Sequence, residues 1–196
     1  MDSNIDISQE LQLKNQEMLL NKKKIDLDTS MESLLVFYSN YSTNIATEIN
    51  NRICLLKNVN SDSEQGKIMY NTITTFFFIL TKKLKELVLK EVDIIKEKMN
   101  NMNDDDYNKE LQYMSIVTIN QMLEFYSENI DMLIEELTTD VDDTTKDRIS
   151  NYLFEIIYGK MMNMLRDKFL YSIKVVGNNY EENYQVMEEI NKKALK

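Results

Sequence analysis

Residues 31–56 read MESLLVFYSNYSTNIATEINNRICLL, and this stretch decides the fold class. Its apolar side chains recur every three or four residues, a spacing that places them on one face of an α-helix. A β-strand would instead alternate with a period of two. The stretch therefore predicts a long amphipathic helix, and the side chains on its buried face are Met31, Leu34, Leu35, Tyr38, Tyr41, Ile45, Ile49, Ile53 and Leu56.

Upstream of this stretch, apolar residues repeat every seven positions at Leu11, Met18 and Ile25. This repeat predicts that the first helix begins near Ile7, with an interruption around residues 26–29. We expect residues 1–28 to form a projecting or flexible helical extension of the domain.

Two further segments show the same helical spacing. The second predicted helix starts near Ser63 or Gly66 and ends in the polar stretch 100–106, and the third ends at residues 139–145. Polar stretches of this length are typical connections between antiparallel helices.

The fourth predicted helix starts with Thr144 or Thr145 as its N-cap and ends at Gly177, since glycine accepts the left-handed conformation at helix C-termini. A short last helix over residues 180–195 carries a thin apolar stripe of Tyr184, Met187 and Ile190. The sequence therefore predicts an all-α fold: an elongated antiparallel bundle of four long helices plus a short C-terminal helix, in a single domain over residues 1–196.

The amino-acid usage is skewed toward residues with AT-rich codons. The chain has 22 asparagines and 20 lysines but two alanines, three arginines and no proline. This usage is typical of an AT-rich genome, such as that of a low-GC bacterium or its phages, some large DNA viruses or certain protists. Because codon bias also lowers the glycine and proline content, the helical prediction depends on periodicity instead.

The sequence lacks the residues that most catalytic sites need. It has no histidine, a single cysteine and three isolated glycines, which excludes imidazole metal sites, zinc clusters and Gly-rich phosphate loops. We therefore predict no catalytic residue, metal ligand or cofactor, and a protein that is not an enzyme. Cys54 is predicted to be a buried structural thiol.

A carboxylate site for Mg²⁺ is the enzymatic alternative. Glu128, Asp131 and Glu135 stand at i, i+3 and i+7 on one stripe of the third helix, next to Glu136. This cluster resembles the acidic helical clusters of all-helical nucleotide pyrophosphohydrolases, a resemblance that implies an Mg²⁺-dependent hydrolase of a phosphate compound. The paired two-helix motif of those enzymes is absent, and a solvated helix face explains the carboxylates with no further assumption.

The charge of the chain is concentrated in residues 100–147, with 13 acidic residues against two lysines, while the whole chain has a net charge of −10. Such a charge repels nucleic acid and anionic membranes and attracts a basic protein surface. We therefore predict a protein partner, of basic character, bound through Glu128, Asp131 and Glu135. The alternative is that these residues only keep the protein soluble.

The aromatic run Phe76-Phe77-Phe78 covers about 200° of a helix, which is too wide for one buried seam. Phe76 and Phe78 are therefore further candidates for contact with a partner or with a second subunit, and we predict a homo-oligomer or a subunit of a larger assembly.

The longest apolar run, residues 76–80, is far shorter than a membrane span, and the acidic N-terminus does not resemble a secretory signal. These features predict a cytoplasmic protein, or one inside an infected cell if the source is viral, with no transmembrane segment. A membrane-acting helical protein is the second alternative.

Overall fold

The computed structural model describes the backbone of residues 3–177 and the side chains from residue 12 onward. Three long helices come first: α1 (Ser3–Lys57), α2 (Glu64–Lys98) and α3 (Asp104–Thr138), with a 3₁₀ turn (Met99–Asn101) after α2. The fourth long helix consists of α4 (Asp143–Phe154), a π-helical segment (Glu155–Met161) and α5 (Met162–Val176). The short helix predicted at 180–195 lies outside the described residues.

The long helices form an antiparallel four-helix bundle. Helices α1 and α3 each pack against α2 on one side and against the fourth helix on the other. Consecutive helices are therefore neighbours, and α1 and α3 face each other across a diagonal, as in an up-down-up-down bundle. The predicted all-α antiparallel bundle is confirmed.

Each polar connection ends in an N-cap that satisfies backbone N–H groups of the next helix. Ser63 Oγ accepts from Gly66 N at 3.1 Å, and Asn103 Oδ1 accepts from Asp106 N at 2.9 Å. The cap of the fourth helix is Asp142.

The prediction of Thr144 or Thr145 as the fourth helix's N-cap was wrong. The Asp142 carboxylate accepts both from Thr145 N, at 3.0 Å, and from Thr145 Oγ1, at 2.9 Å. These hydrogen bonds lower the pKa of Asp142 because they stabilise its charged form. A threonine hydroxyl cannot accept two such bonds as well as a carboxylate can.

Helix α1 is continuous, so the predicted interruption at residues 26–29 is absent, and the helix begins at Ser3 rather than near Ile7. The reason is tertiary: Leu27 is fully buried, and the Asp28 carboxylate pairs with Lys96 at 2.5 Å. With 55 residues α1 is about 80 Å long, whereas α2 and α3, with 35 residues each, span about 50 Å. The N-terminal part of α1 consequently extends past the turn between α2 and α3.

Two tyrosines meet at the centre of the bundle. Tyr38 on α1 and Tyr126 on α3 are both fully buried, and their hydroxyl groups form a hydrogen bond across the diagonal. Burial raises the pKa of both phenols well above the usual range, because an ionised phenol is poorly solvated there. The surrounding core is built from apolar side chains of all four helices.

The π-helical segment keeps the buried stripe of the fourth helix facing the core. Its buried stripe advances by four residues at every step: Ile149, Leu153, Ile157, Met161, Leu165, Phe169 and Ile173. In an ideal α-helix each such step turns the stripe by about 40°, so six steps would rotate it away from the core. The π-helix holds more residues per turn and turns the stripe back.

A double-mutant cycle tests the central tyrosine pair. Tyr38→Phe or Tyr126→Phe alone should each lower the free energy of unfolding by about 1–2 kcal/mol, since the remaining hydroxyl is left buried and unpartnered. The double variant should lose less than the sum of the two, as chemical denaturation monitored by circular dichroism would show. Additive losses would mean that the hydroxyl groups do not interact.

Replacement by alanine should change the stability of the protein in opposite directions at Gly159 and at Gly66. A Cβ at Gly66 would lie 2.5 Å from Ser61 O and 2.6 Å from Asn60 O, both backbone atoms, whereas a Cβ at Gly159 meets nothing within 4 Å. Gly159→Ala should therefore raise the free energy of unfolding by about 0.5–1 kcal/mol, because alanine loses less backbone entropy in a helix. Gly66→Ala should lower the thermal midpoint.

Candidate protein-interaction surface

The carboxylates at the start of α3 serve the fold. Asp104 pairs with Lys23 at 2.6 Å, Asp106 with Lys109 at 3.5 Å, and Glu110 with Lys98 at 3.1 Å. The first-turn aspartates also lie at the positive end of the helix dipole. The N-terminal part of the acidic segment is therefore largely compensated.

The carboxylates in the C-terminal half of α3 have a different environment from those at its start. Glu124, Glu128, Asp131 and Glu135 are exposed and follow one another at spacings of four, three and four residues, so they form one outward stripe. Within the described part of the chain, none of these four side chains forms an ion pair. The structure thus places the three predicted residues Glu128, Asp131 and Glu135 together on an uncompensated surface, which we call the acidic stripe.

An apolar groove runs beside the acidic stripe, between α2 and α3. Its volume is about 310 Å³, and its lining includes Ile68, Ile79, Met132, Leu133 and Glu136. Ile68 and Met132 are 59% and 50% exposed, so the groove offers apolar surface to a partner and carries a carboxylate at its edge. Sequence reasoning missed this groove. The sequence did contain one sign of it, because Ile68 and Ile79 are apolar residues that lie outside the buried stripe of α2.

Phe76 and Phe78 have different environments. Phe76 is 4% exposed and packs edge-on against Phe77 at 5.6 Å between ring centroids, so most of its ring lies in the core, but it also lines the groove between α2 and α3. Phe78 is 70% exposed and lies at the edge of a second groove, between α1 and α2. Phe78 is therefore the more accessible of the two candidate contact residues.

Cys54 is 3% exposed, and burial raises the pKa of its thiol. A protonated thiol is a poor nucleophile at neutral pH.

In the described part of the chain, no group of three or more His, Cys, Asp or Glu side chains is arranged to hold a metal ion. Between residues 3 and 177, no helix carries an apolar stretch long enough to cross a membrane.

Comparison of the chain with known protein families, with curated proteins and with solved structures found no match.

The two phenylalanines provide a matched test of these placements. Phe76→Ala should lower the free energy of unfolding by about 3–5 kcal/mol, as expected for truncation of a buried ring. Phe78→Ala should change it by less than about 0.5 kcal/mol, as for other exposed positions. Urea denaturation of both variants measures the difference, and comparable losses would contradict the assigned environments.

Proposed function

We propose that this protein is not an enzyme and acts by binding another protein through the acidic stripe and the adjoining groove of α2 and α3. The partner that fits is a basic amphipathic segment, with apolar side chains on one face and lysines or arginines on the flank. The single observation that carries the proposal is the juxtaposition of uncompensated carboxylates and exposed apolar side chains on one side of α3.

The electrostatic part of the proposal rests on the charge of α3. Opposite charges on two approaching surfaces raise the association rate, and the effect is strongest where neither surface is already compensated. Elsewhere on the bundle, some acidic residues pair with lysines, as Glu48 does with Lys160 at 2.6 Å. Among the described residues, no such ion pair is found for the acidic stripe.

The apolar part of the proposal rests on the groove. Burial of Ile68, Ile79 and Met132 against a partner would remove apolar area from water, which stabilises a complex by about 25 cal/mol per Å² before the costs of association. A helix laid in a groove through its apolar face is a common mode of peptide recognition. The groove would contribute affinity and the stripe would contribute specificity for a basic sequence.

Self-association is a separate part of the proposal. A second copy has the same net charge of −10 and would be repelled at the acidic stripe. A homo-oligomer would therefore use another surface, and the exposed Phe78 beside the groove of α1 and α2 is the candidate.

The test uses a synthetic amphipathic helical peptide with lysines along one face and leucines along the other. The triple variant Glu128→Lys, Asp131→Lys, Glu135→Lys should reduce its association rate at least about tenfold at low salt, and raised salt should weaken binding to the unaltered protein. Stopped-flow fluorescence measures both effects.

The matched control reverses three exposed acidic residues on α2, Glu86, Asp93 and Glu97, and changes the net charge equally. Its association rate should fall much less. If both triple variants lose the same amount, binding depends only on net charge and the acidic stripe is not the docking surface.

A further inference from the structure

The part of α1 that extends beyond the bundle carries exposed apolar side chains. Residues 12–19 are all exposed, and among them Leu13 and Leu19 are 60% and 58% accessible. Apolar side chains grouped in this way on a folded protein usually mark a surface that another segment covers.

These side chains form one wall of an apolar groove at the end of the bundle. The opposite wall is the turn between α2 and α3, with Met99, Met102 and Tyr107, and the groove has a volume of about 440 Å³. Tyr107 is 2% exposed, and its hydroxyl has no hydrogen-bond partner among the described residues. A buried hydroxyl without a partner costs free energy, so a polar group of an occupant would be stabilised here.

The described chain ends at this same end of the bundle. Ser30 Oγ donates to Ser172 O at 3.0 Å, which holds the last turns of α5 against α1. A Cβ built on Gly177 would lie 2.8 Å from Asn108 Oδ1, and Asn108 directly follows Tyr107. The residues that follow Gly177 therefore start next to the groove.

The sequence after Gly177 has the chemistry of an occupant. Residues 180–195 contain four glutamates, all within 180–190, and two lysines, whereas residues 12–25 contain one glutamate and four lysines, of which Lys23 also pairs with Asp104. If residues 180–195 were helical they would span about 24 Å, which is close to the length of α1 between residues 12 and 26. Their predicted stripe of Tyr184, Met187 and Ile190 supplies the apolar face.

We propose that residues 180–195 dock in this groove, antiparallel to α1, with their apolar stripe against Leu13 and Leu19 and their glutamates toward the lysines of residues 12–25. The groove is thus an intramolecular docking site for the chain's own C-terminal segment, on a different surface from the acidic stripe.

A tethered occupant has an advantage over a second copy of the chain. A segment joined directly to α5 has an effective local concentration in the millimolar range and does not lose the translational freedom of a separate molecule. Docking of the same segment from a second molecule would require the loss of that molecule's translational freedom.

Hydrogen exchange of the full-length protein, read by mass spectrometry, tests this docking. Amides of residues 180–195 should exchange at least about tenfold more slowly than in an unfolded chain, because docking buries their hydrogen bonds. Leu19→Asp should abolish most of this protection, since it places a charge against the apolar stripe.

Met18→Asp is the matched control. Met18 is 70% exposed and adjacent in sequence, but it does not line the groove, so protection of residues 180–195 should stay within about twofold of the unaltered protein. Both variants change exposed residues, and circular dichroism would verify that both remain folded.

Three outcomes would overturn the proposal. Residues 180–195 could exchange as an unfolded chain, or Leu19→Asp and Met18→Asp could have equal effects. Protection could also disappear on dilution together with a dimer seen by sedimentation, in which case a second copy supplies the occupant. Protection that is independent of concentration, and sensitive only to Leu19→Asp, supports the intramolecular docking.

Discussion

The hydrogen bond between Tyr38 and Tyr126 joins α1 to α3 at one register in the centre of the bundle. Two hydroxyl groups are removed from water at the centre of an apolar core, and this is tolerated only while each satisfies the other. A slide of α1 along α3 would break the pair. Polar contacts across the same diagonal hold the two ends: Lys23 to Asp104 at 2.6 Å, and Lys57 Nζ to Leu137 O at 3.0 Å.

At this register, the unequal lengths of the helices determine which side chains are exposed at the end of the bundle. Helix α1, with 55 residues, must extend past α2 and α3, with 35 each, and it does so at the end where the turn at Met99 and the N-terminus of α3 meet. The groove lined by Leu13, Leu19 and Tyr107 is a direct consequence. The π-helical segment has a comparable role on the fourth helix, because it keeps α5 against α1 up to the point where the C-terminal segment begins.

The acidic charge of the chain has two different physical roles. At the start of α3, aspartates cap the helix and pair with lysines, so their charge stabilises the fold. In the C-terminal half of α3, Glu128, Asp131 and Glu135 form no ion pair with another described residue, and they adjoin an apolar groove. The composition of the segment does not distinguish these two groups of carboxylates. The proposed contact with a basic partner would use the second group, because charged groups outside an ion pair interact more strongly with an approaching surface.

The all-α class, the four long helices and the exposure of Glu128, Asp131 and Glu135 can be read from the sequence, because a spacing of three and four residues fixes which helix face is buried. The sequence did not show that Phe76 is buried while Phe78 is exposed. Three consecutive aromatic residues contain no alternation of apolar and polar side chains that would indicate which of them faces the core. Nor could the sequence show that α1 continues through Asp28, whose pairing with Lys96 is made between different helices. The three grooves follow from helix packing alone, because each is formed by side chains distant in sequence. The relative position of these side chains is not contained in the local periodicity.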